Sequence, residues 1–278
     1  MEIKANAKIN LCLNVIGKRA DGYHDMDMVM IPLTLQDTVY ITPAKQDHFT
    51  CDDPSCVMNE RNTVVRALNL MRDTFNRKES FHIHLEKRIP MEAGLAGGSS
   101  DAAAVLRGLR KHWNLNISLL ELAELGKQIG ADVPFCVMNT CARVQGIGER
   151  ITPFVSQCDF GILLVKPQAG ISTKQGFQRL SEVACEHPDV DACEQALKND
   201  DFVAFCAQAK NTLEASAFSL LPQLAQIKTD LYDMGLPFVL MSGTGSTIFA
   251  LSKDRAQLRQ AAKQLESRYP FVCVCESL

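Results

Sequence analysis

Pro90-Met91-Glu92-Ala93-Gly94-Leu95-Ala96-Gly97-Gly98-Ser99-Ser100-Asp101 is the densest run of small residues in this 278-residue chain. A strand-like run, 81–89, leads into it, and an alanine-rich helical run, 102–111, leads out. Glycines let a backbone come close to oxygen atoms, and the free N–H groups of a first helical turn point at an anion. The stretch therefore reads as a phosphate cradle. Its spacing excludes two common versions. A G-x-x-x-x-G-K-[ST] loop needs lysine after its last glycine, where Ser99 stands, and G-x-G-x-x-G needs glycine at 96, where Ala96 stands. The alternative is an ordinary turn between strand and helix. Three glycines and two serines directly before a helix start weigh against it.

Upstream, residues 3–15 alternate. Ile3, Ala5, Ala7, Ile9, Leu11, Leu13 and Val15 are apolar, with Lys4, Asn6, Lys8, Asn10, Cys12 and Asn14 between them. Period two predicts a half-buried strand with Asn6, Lys8, Asn10 and Cys12 on one face. A solvated face is the simple reading, but asparagines are poor strand formers to spend on a bland surface. Gly17 to His24 reads as a turn presenting Tyr23 and His24, either an ordinary hairpin turn or a place to hold a base by stacking. Two more strands are predicted near 28–33 and 37–42, and 43–60 reads as a surface excursion. Asn62 is placed to cap a helix carrying Val64, Val65, Leu68, Met71 and Phe75 on one side.

Downstream, Ser118-Leu119-Leu120-Glu121 is a capping box, and its helix stops at Gly130. Next comes Gly130-Ala131-Asp132-Val133-Pro134-Phe135. A carboxylate among small and apolar neighbours is costly unless paired, and Lys8 is a candidate partner. Residues 143–157 read as a domain junction. Beyond them come a buried-type strand at 160–165, a capped start at Ser172-Thr173 with Phe177 in its second turn, and helices near 190–198, 201–215 and 220–234. A second small-residue loop, Ser242-Gly243-Thr244-Gly245-Ser246, lies between two strands. A helix at 253–267 and a strand at 271–275 follow.

Bulk properties narrow the class. The composition, 46% hydrophobic and 22% charged, is that of a globular protein of one large or two ordinary domains. A net charge of -3 gives no reason to expect a nucleic-acid surface, and no apolar run approaches a membrane span. Eleven cysteines without C-x-x-C or finger-like histidine spacing predict free, mostly buried thiols in a reducing cytoplasm. The expectation is a cytoplasmic protein with no nucleic-acid or membrane partner.

Four pieces stand in order: a strand lysine, a Gly-Gly-Ser-Ser loop before a helix, an aspartate after the following helix, and a late Ser-Gly-Thr-Gly loop. This arrangement resembles the GHMP kinase superfamily of small-molecule kinases. Ala7-Lys8-Ile9-Asn10-Leu11 together with Arg19-Ala20-Asp21-Gly22-Tyr23-His24 resembles its branch acting on a cytidine-diphosphate-linked sugar alcohol in non-mevalonate isoprenoid synthesis. The resemblance implies an α+β, two-domain fold. Residues 1–150 would form an ATP-binding, catalytic domain like ribosomal protein S5 domain 2, and 151–278 a ferredoxin-like domain.

It also implies a reaction and its residues. ATP would phosphorylate the C2 hydroxyl of a diphosphocytidyl methylerythritol. Asp132 would be the general base, with Lys8 paired to it and stabilising the moving phosphoryl group. Residues Pro90, Met91, Glu92, Ala93, Gly94, Leu95, Ala96, Gly97, Gly98, Ser99 and Ser100 would bind ATP. Either serine could reach Mg²⁺ or a phosphate oxygen, with Ser100 preferred for the metal. Asn10, Tyr23 and His24 would form the cytidine end of the substrate site, Tyr23 stacking on cytosine and His24 reading its polar edge. Phe177 would close the sandwich, Thr173 support it, and Gly243 border the substrate. Two rivals remain at this point: a related kinase with another alcohol substrate, which the Tyr23-His24 pair disfavours, and a non-catalytic nucleotide-binding regulator, which has no need of both Lys8 and Asp132.

Overall fold

A computed structural model describes all 278 residues. The chain forms two compact units. The first holds residues 1–7, 35–89 and 96–139, and the second holds 8–34, 90–95 and 140–278. Two long strands, β1 (Glu2–Lys18) and β2 (His24–Ala44), pair with each other and run through both units.

In the first unit, β3 (His48–Cys51) pairs in parallel with β4 (Ser80–Glu86), and α1 (Thr63–Phe75) makes the crossover between them. β4 pairs antiparallel with β2 from Thr38↔Glu86 to Ala44↔Ser80. Its alternation sends Phe81, Ile83 and Leu85 into the core. Val64, Val65, Leu68 and Met71 of α1 are buried, as are Ala102 to Leu106 of α2 (Gly97–His112). As the sequence predicts, Asn62 caps α1 by accepting from the Val64 N–H, and Ser118 with Glu121 forms a capping box at α3 (Leu119–Gly126). The short α4 (Val133–Met138) follows, with Asp132 at its N-cap position.

In the second unit, β2 pairs antiparallel with β5 (Ala142–Gly146), which forms a hairpin with β6 (Arg150–Pro153). The expected junction stretch thus carries most of a hairpin. A separate antiparallel sheet has the order β10-β7-β9-β8, from β7 (Gly161–Lys166), β8 (Phe238–Met241), β9 (Ile248–Ser252) and β10 (Phe271–Glu276). Numbered along the chain this is 4-1-3-2, the split βαβ ferredoxin-like arrangement. α10 (Arg255–Leu265) leads into β10 and packs on β7 and β10. The crossover from β7 to β8 holds α5 (Thr173–Arg179), α6 (Val190–Lys198), α7 (Phe202–Gln208), α8 (Glu214–Leu220) and α9 (Gln223–Asp233).

Four local expectations need correction. The strand expected to be half-buried is covered on both faces, so that Asn6, Lys8, Asn10 and Cys12 are all buried. The strands expected at 28–33 and 37–42 are one strand, since Thr34 to Gln36 continue the extended backbone. The surface excursion at 43–60 contains β3. The helix expected at 201–215 is broken at 209–213, where Leu13 of β1 bridges in parallel to Asn211. All eleven cysteines are free; five are buried and the rest half-buried.

Candidate active site

The quoted loop divides between the units at residue 95/96. In the second unit its first half is stitched to the late hairpin loop. The Ser246 and Thr247 N–H groups donate to the Glu92 and Ala93 carbonyls at 3.4 and 3.2 Å. The Gly94 Cα approaches the Ser242 backbone so closely that a Cβ would stand 2.1 Å from its carbonyl oxygen. With φ at +72°, only glycine fits there. The Ser242 hydroxyl donates to the Gly94 carbonyl at 2.9 Å and accepts from the Asn10 N–H at 3.3 Å.

This stitching surrounds Lys8. Its backbone N–H donates to the Leu95 carbonyl at 3.1 Å, and its ammonium donates to Asn10 Oδ1 at 2.7 Å. A Cβ on Gly243 would lie 3.5 Å from Lys8 Nζ and 3.4 Å from Asn10 Oδ1, so the loop backbone borders the ammonium directly. Lys8, Asn10 and Gly243, which the sequence singles out separately, form one cluster.

Two of the three aromatic residues meet. His24 and Phe177 stack on each other, with ring centroids 4.7 Å apart and an interplanar angle of 22°. One face of the Phe177 ring therefore lies against His24. Tyr23 is 59% exposed, leaving its face open. Burial, aided by the Lys18 charge, holds the His24 imidazole below its ordinary pKa, so it is neutral at pH 7. A neutral imidazole offers one donor and one acceptor. The Thr173 and Thr244 hydroxyls lie 3.4 Å apart, joining α5 to the late loop.

In the first unit the loop continues into α2. Ala96 takes a left-handed backbone and offers no side-chain cap, so the N–H groups of Gly97, Gly98 and Ser99 begin the helix unshielded. The Gly98 carbonyl is held from outside by the Thr63 hydroxyl at 2.6 Å. Beneath the turn, the Lys87 ammonium bridges Asp101, at 2.6 Å, and Asp37. Asp37 also accepts from the Ile89 N–H at 2.8 Å. Burial opposes the Lys87 charge, but the two carboxylates outweigh it and raise its pKa. Burial pushes Asp101 up to about 7, against the pull of Lys87.

Ser100 is buried, and its hydroxyl donates to the Asn6 carbonyl at 2.6 Å. Ser99 is half-buried, and its hydroxyl lies beside Gly130. Asp132 is half-buried and does not spend its carboxylate on capping α4. No group of three His, Cys, Asp or Glu side chains is arranged to hold a metal. The carboxylates beneath the glycine turn, Asp37 and Asp101, are already committed to Lys87.

Sequence reading missed Asp37 and Lys87, and it took Asp101 only as the end of the loop. It also missed Asn211 and Glu214, which hold the late loop. Asn211 Nδ2 donates to the Met241 and Gly243 carbonyls, both at 2.8 Å, and Glu214 Oε1 accepts from the Met241 N–H at 2.9 Å. Asn and Thr in mid-helix at 211 and 212 were the available signal, since both compete with helical backbone bonding.

Comparison with known proteins places this geometry in a family. The model of the GHMP kinases N terminal domain matches residues 62–140, and that of the GHMP kinases C terminal matches 193–270. A 4-diphosphocytidyl-2-C-methyl-D-erythritol kinase of Exiguobacterium sibiricum is 43% identical over 259 residues, 92% of this chain and 91% of the relative. A crystal structure of 4-(cytidine 5'-diphospho)-2C-methyl-D-erythritol kinase superposes with a TM-score of 0.84 at 31% identity, covering 100% of this chain and 99% of that one. A homoserine kinase from Cytophaga hutchinsonii shares the fold alone, with a TM-score of 0.75 at 15% identity over 100% of this chain and 94% of that one. The chain belongs to the GHMP kinase family, and within it to the 4-diphosphocytidyl-2-C-methyl-D-erythritol kinases.

Proposed function

We infer that this chain is an ATP-dependent kinase that phosphorylates the C2 hydroxyl of 4-diphosphocytidyl-2-C-methyl-D-erythritol. The products are ADP and the 2-phosphate, in non-mevalonate isoprenoid precursor biosynthesis. The observation that carries the site assignment is the Lys8 ammonium, buried, fixed by Asn10 Oδ1 and bordered by Gly243. A buried, oriented cation serves a moving phosphoryl group better than a mobile one, because it needs no reorganisation during transfer.

The roles follow from chemistry. Asp132 accepts the proton of the acceptor hydroxyl. An alcohol is far less acidic than a carboxylic acid, whose ordinary pKa is about 3.9, so that transfer comes late and the phosphoryl group moves first. Lys8 stabilises the charge spread over the phosphoryl oxygens. The loop Pro90 to Ser100 holds the ATP phosphates through glycine backbone and the N–H groups at the start of α2. Mg²⁺ would arrive with ATP and would supply charge neutralisation on the phosphates. Either loop hydroxyl would offer it an oxygen, Ser100 first: Ser100 gives its proton to the Asn6 carbonyl and keeps its lone pairs for the metal.

Tyr23 stacks on the cytosine with its open face. His24, braced by Phe177, presents one donor and one acceptor to the polar edge, with Asn10, Thr173 and Gly243 completing the substrate side. Residues 1–150 are the ATP-binding, catalytic domain and 151–278 the ferredoxin-like one. No helix is long and apolar enough to cross a membrane, and the proposed location is the cytoplasm.

The test is ADP release by purified protein with ATP-Mg and the diphosphocytidyl alcohol, against mevalonate and homoserine. Turnover only with the first is expected. Cytidine nucleotides should compete with the acceptor; indifference to them would favour another alcohol. Asp132→Ala should lower kcat by about 10²–10⁴-fold with ATP binding retained. Turnover surviving within about tenfold would remove Asp132 from the role of base.

A further inference from the structure

The break at 209–213 in the crossover has no part in the chemistry above, yet it holds a buried amide whose polar atoms are all bonded to backbone. Asn211 is buried. Its two amide N–H groups go to the Met241 and Gly243 carbonyls at 2.8 Å each, and its Oδ1 accepts from the Leu213 N–H at 2.9 Å. Every partner fixes the orientation: turned over, the amide would set oxygen against two carbonyls. The two carbonyls flank Ser242, whose hydroxyl joins Asn10 to Gly94. Glu214, paired with Lys228, accepts from the Met241 N–H.

The same short segment is tied to β1. The Leu13 N–H donates to the Lys210 carbonyl and the Thr212 N–H to the Leu13 carbonyl, both at 2.9 Å. β1 carries Lys8 and Asn10. One segment therefore grips both the strand that bears the ammonium and the loop that borders it. Gly243 stands close enough to Lys8 Nζ and Asn10 Oδ1 that an ångström of loop movement changes where the ammonium rests.

We propose that Asn211 is a positioning residue for phosphoryl transfer: its amide sets the 241–243 backbone so that Gly243 and Asn10 together hold Lys8 on the transferred group. This rests on the role of Lys8 given above. Asn211 is buried with its amide bonded to backbone groups, so its removal should act on kcat more than on binding. A misplacement near 1 Å at a reacting group can cost about 10²-fold in rate.

The experiment compares three variants with wild type at saturating ATP-Mg and diphosphocytidyl alcohol. Asn211→Ala should lose about 10–100-fold in kcat, with KM for both substrates within about threefold. Thr212→Val removes a hydroxyl that bonds to Leu13 and Val15 on β1 but not to the loop. It should lower the melting temperature while keeping kcat within about threefold. Asn211→Asp keeps the shape and the Leu213 contact but points a carboxylate at two carbonyls. Protonation returns one donor, so its kcat relative to wild type should rise as pH falls from 8 to 6.

If Asn211→Ala does not fold, the isosteric variant decides. A kcat within about threefold of wild type, an Asn211→Asp ratio flat with pH, or an equal loss in Thr212→Val would each overturn the proposal. A wild-type protein without turnover would count against the reaction instead. The clamp is then read from ¹⁵N-glycine resonances of the whole chain. Gly243 and Gly245 should shift in Asn211→Asp and stay in place in Thr212→Val, and unmoved resonances in both would overturn it.

Discussion

The start of α2 and the late hairpin loop are built from the same residues, glycine and serine, yet they are held from beneath by opposite chemistry. Under Gly97, within the first unit, lies an ion triple: Lys87 between Asp37 and Asp101, all buried. Under Ser242 and Gly243, within the second, lies mostly neutral polar chemistry. The Asn211 amide and the Ser242 hydroxyl hold the loop, with Glu214, itself neutralised by Lys228, at the strand end. An ion triple is strong while complete and costly when broken, because the remaining charge stays buried. Neutral hydrogen bonds are each worth less and fail more gently. The two loops should therefore differ in how they respond to mutation and pH.

The largest contrast is expected on removing the cation. Lys87→Met leaves two carboxylates facing each other away from water, at a cost of about 3–5 kcal/mol. Chemical denaturation should show this loss, larger at pH 8 than at pH 6, since protonating one carboxyl relieves it. Ser242→Ala is the counterpart in the hairpin loop. It strands the buried Asn10 N–H and the half-buried Gly94 carbonyl, at about 1–3 kcal/mol. Its loss should be independent of pH between 6 and 8. Equal losses from the two substitutions would erase the distinction between the braces.

Titration gives a smaller effect confined to the ionic brace. The Asp101 carboxyl is raised to about 7, above its unfolded value, chiefly by burial, and its Oδ1 has no hydrogen-bond partner. The protonated form is thus the one the fold favours. Its contribution to stability is complete below the unfolded pKa of about 3.9 and disappears as pH rises through about 7. Between pH 6 and pH 8 the loss is on the order of 1 kcal/mol. Asp101→Asn should flatten that slope in unfolding measurements, and an unchanged slope would assign it to other groups.

These braces also mark where sequence reading ends. The alternation of β1, the caps at Asn62 and Ser118, and both small-residue loops are local patterns, and they were legible for that reason. Asp37, Lys87 and Asp101 meet because β2, β4 and α2 pack together, and no local pattern announces that convergence. The polar face of β1 shows the same limit from the other side. Its period of two was plain, but whether water or protein covers Asn6, Lys8 and Asn10 depends on distant segments. At Phe177 the residue was legible and its contact with the His24 ring was not. Asn211 sits inside a run with helical periodicity, and tertiary pairing to Leu13 overrides it.

The smallest expected effect isolates backbone strain from either brace. Ala96, which begins the ionic loop, has φ +59°, and Gly243, in the neutral loop, has the same φ of +59°. The left-handed region costs an L-residue about 1–2 kcal/mol and costs glycine almost nothing. Glycine gives back roughly half of that advantage through the greater freedom of its unfolded chain. Ala96→Gly should therefore stabilise the protein by about 0.5–1 kcal/mol, read as a rise in denaturation midpoint with an unchanged slope. Gly243→Ala should destabilise by a similar amount from the backbone alone. Its added methyl would also sit 3.4 Å from Asn10 Oδ1 and 3.5 Å from Lys8 Nζ, so it should lower kcat as well. A midpoint that does not move in Ala96→Gly would mean that the ionic brace, which fixes the turn from below, already absorbs the strain, and the two loops would then differ in what holds them but not in what they store.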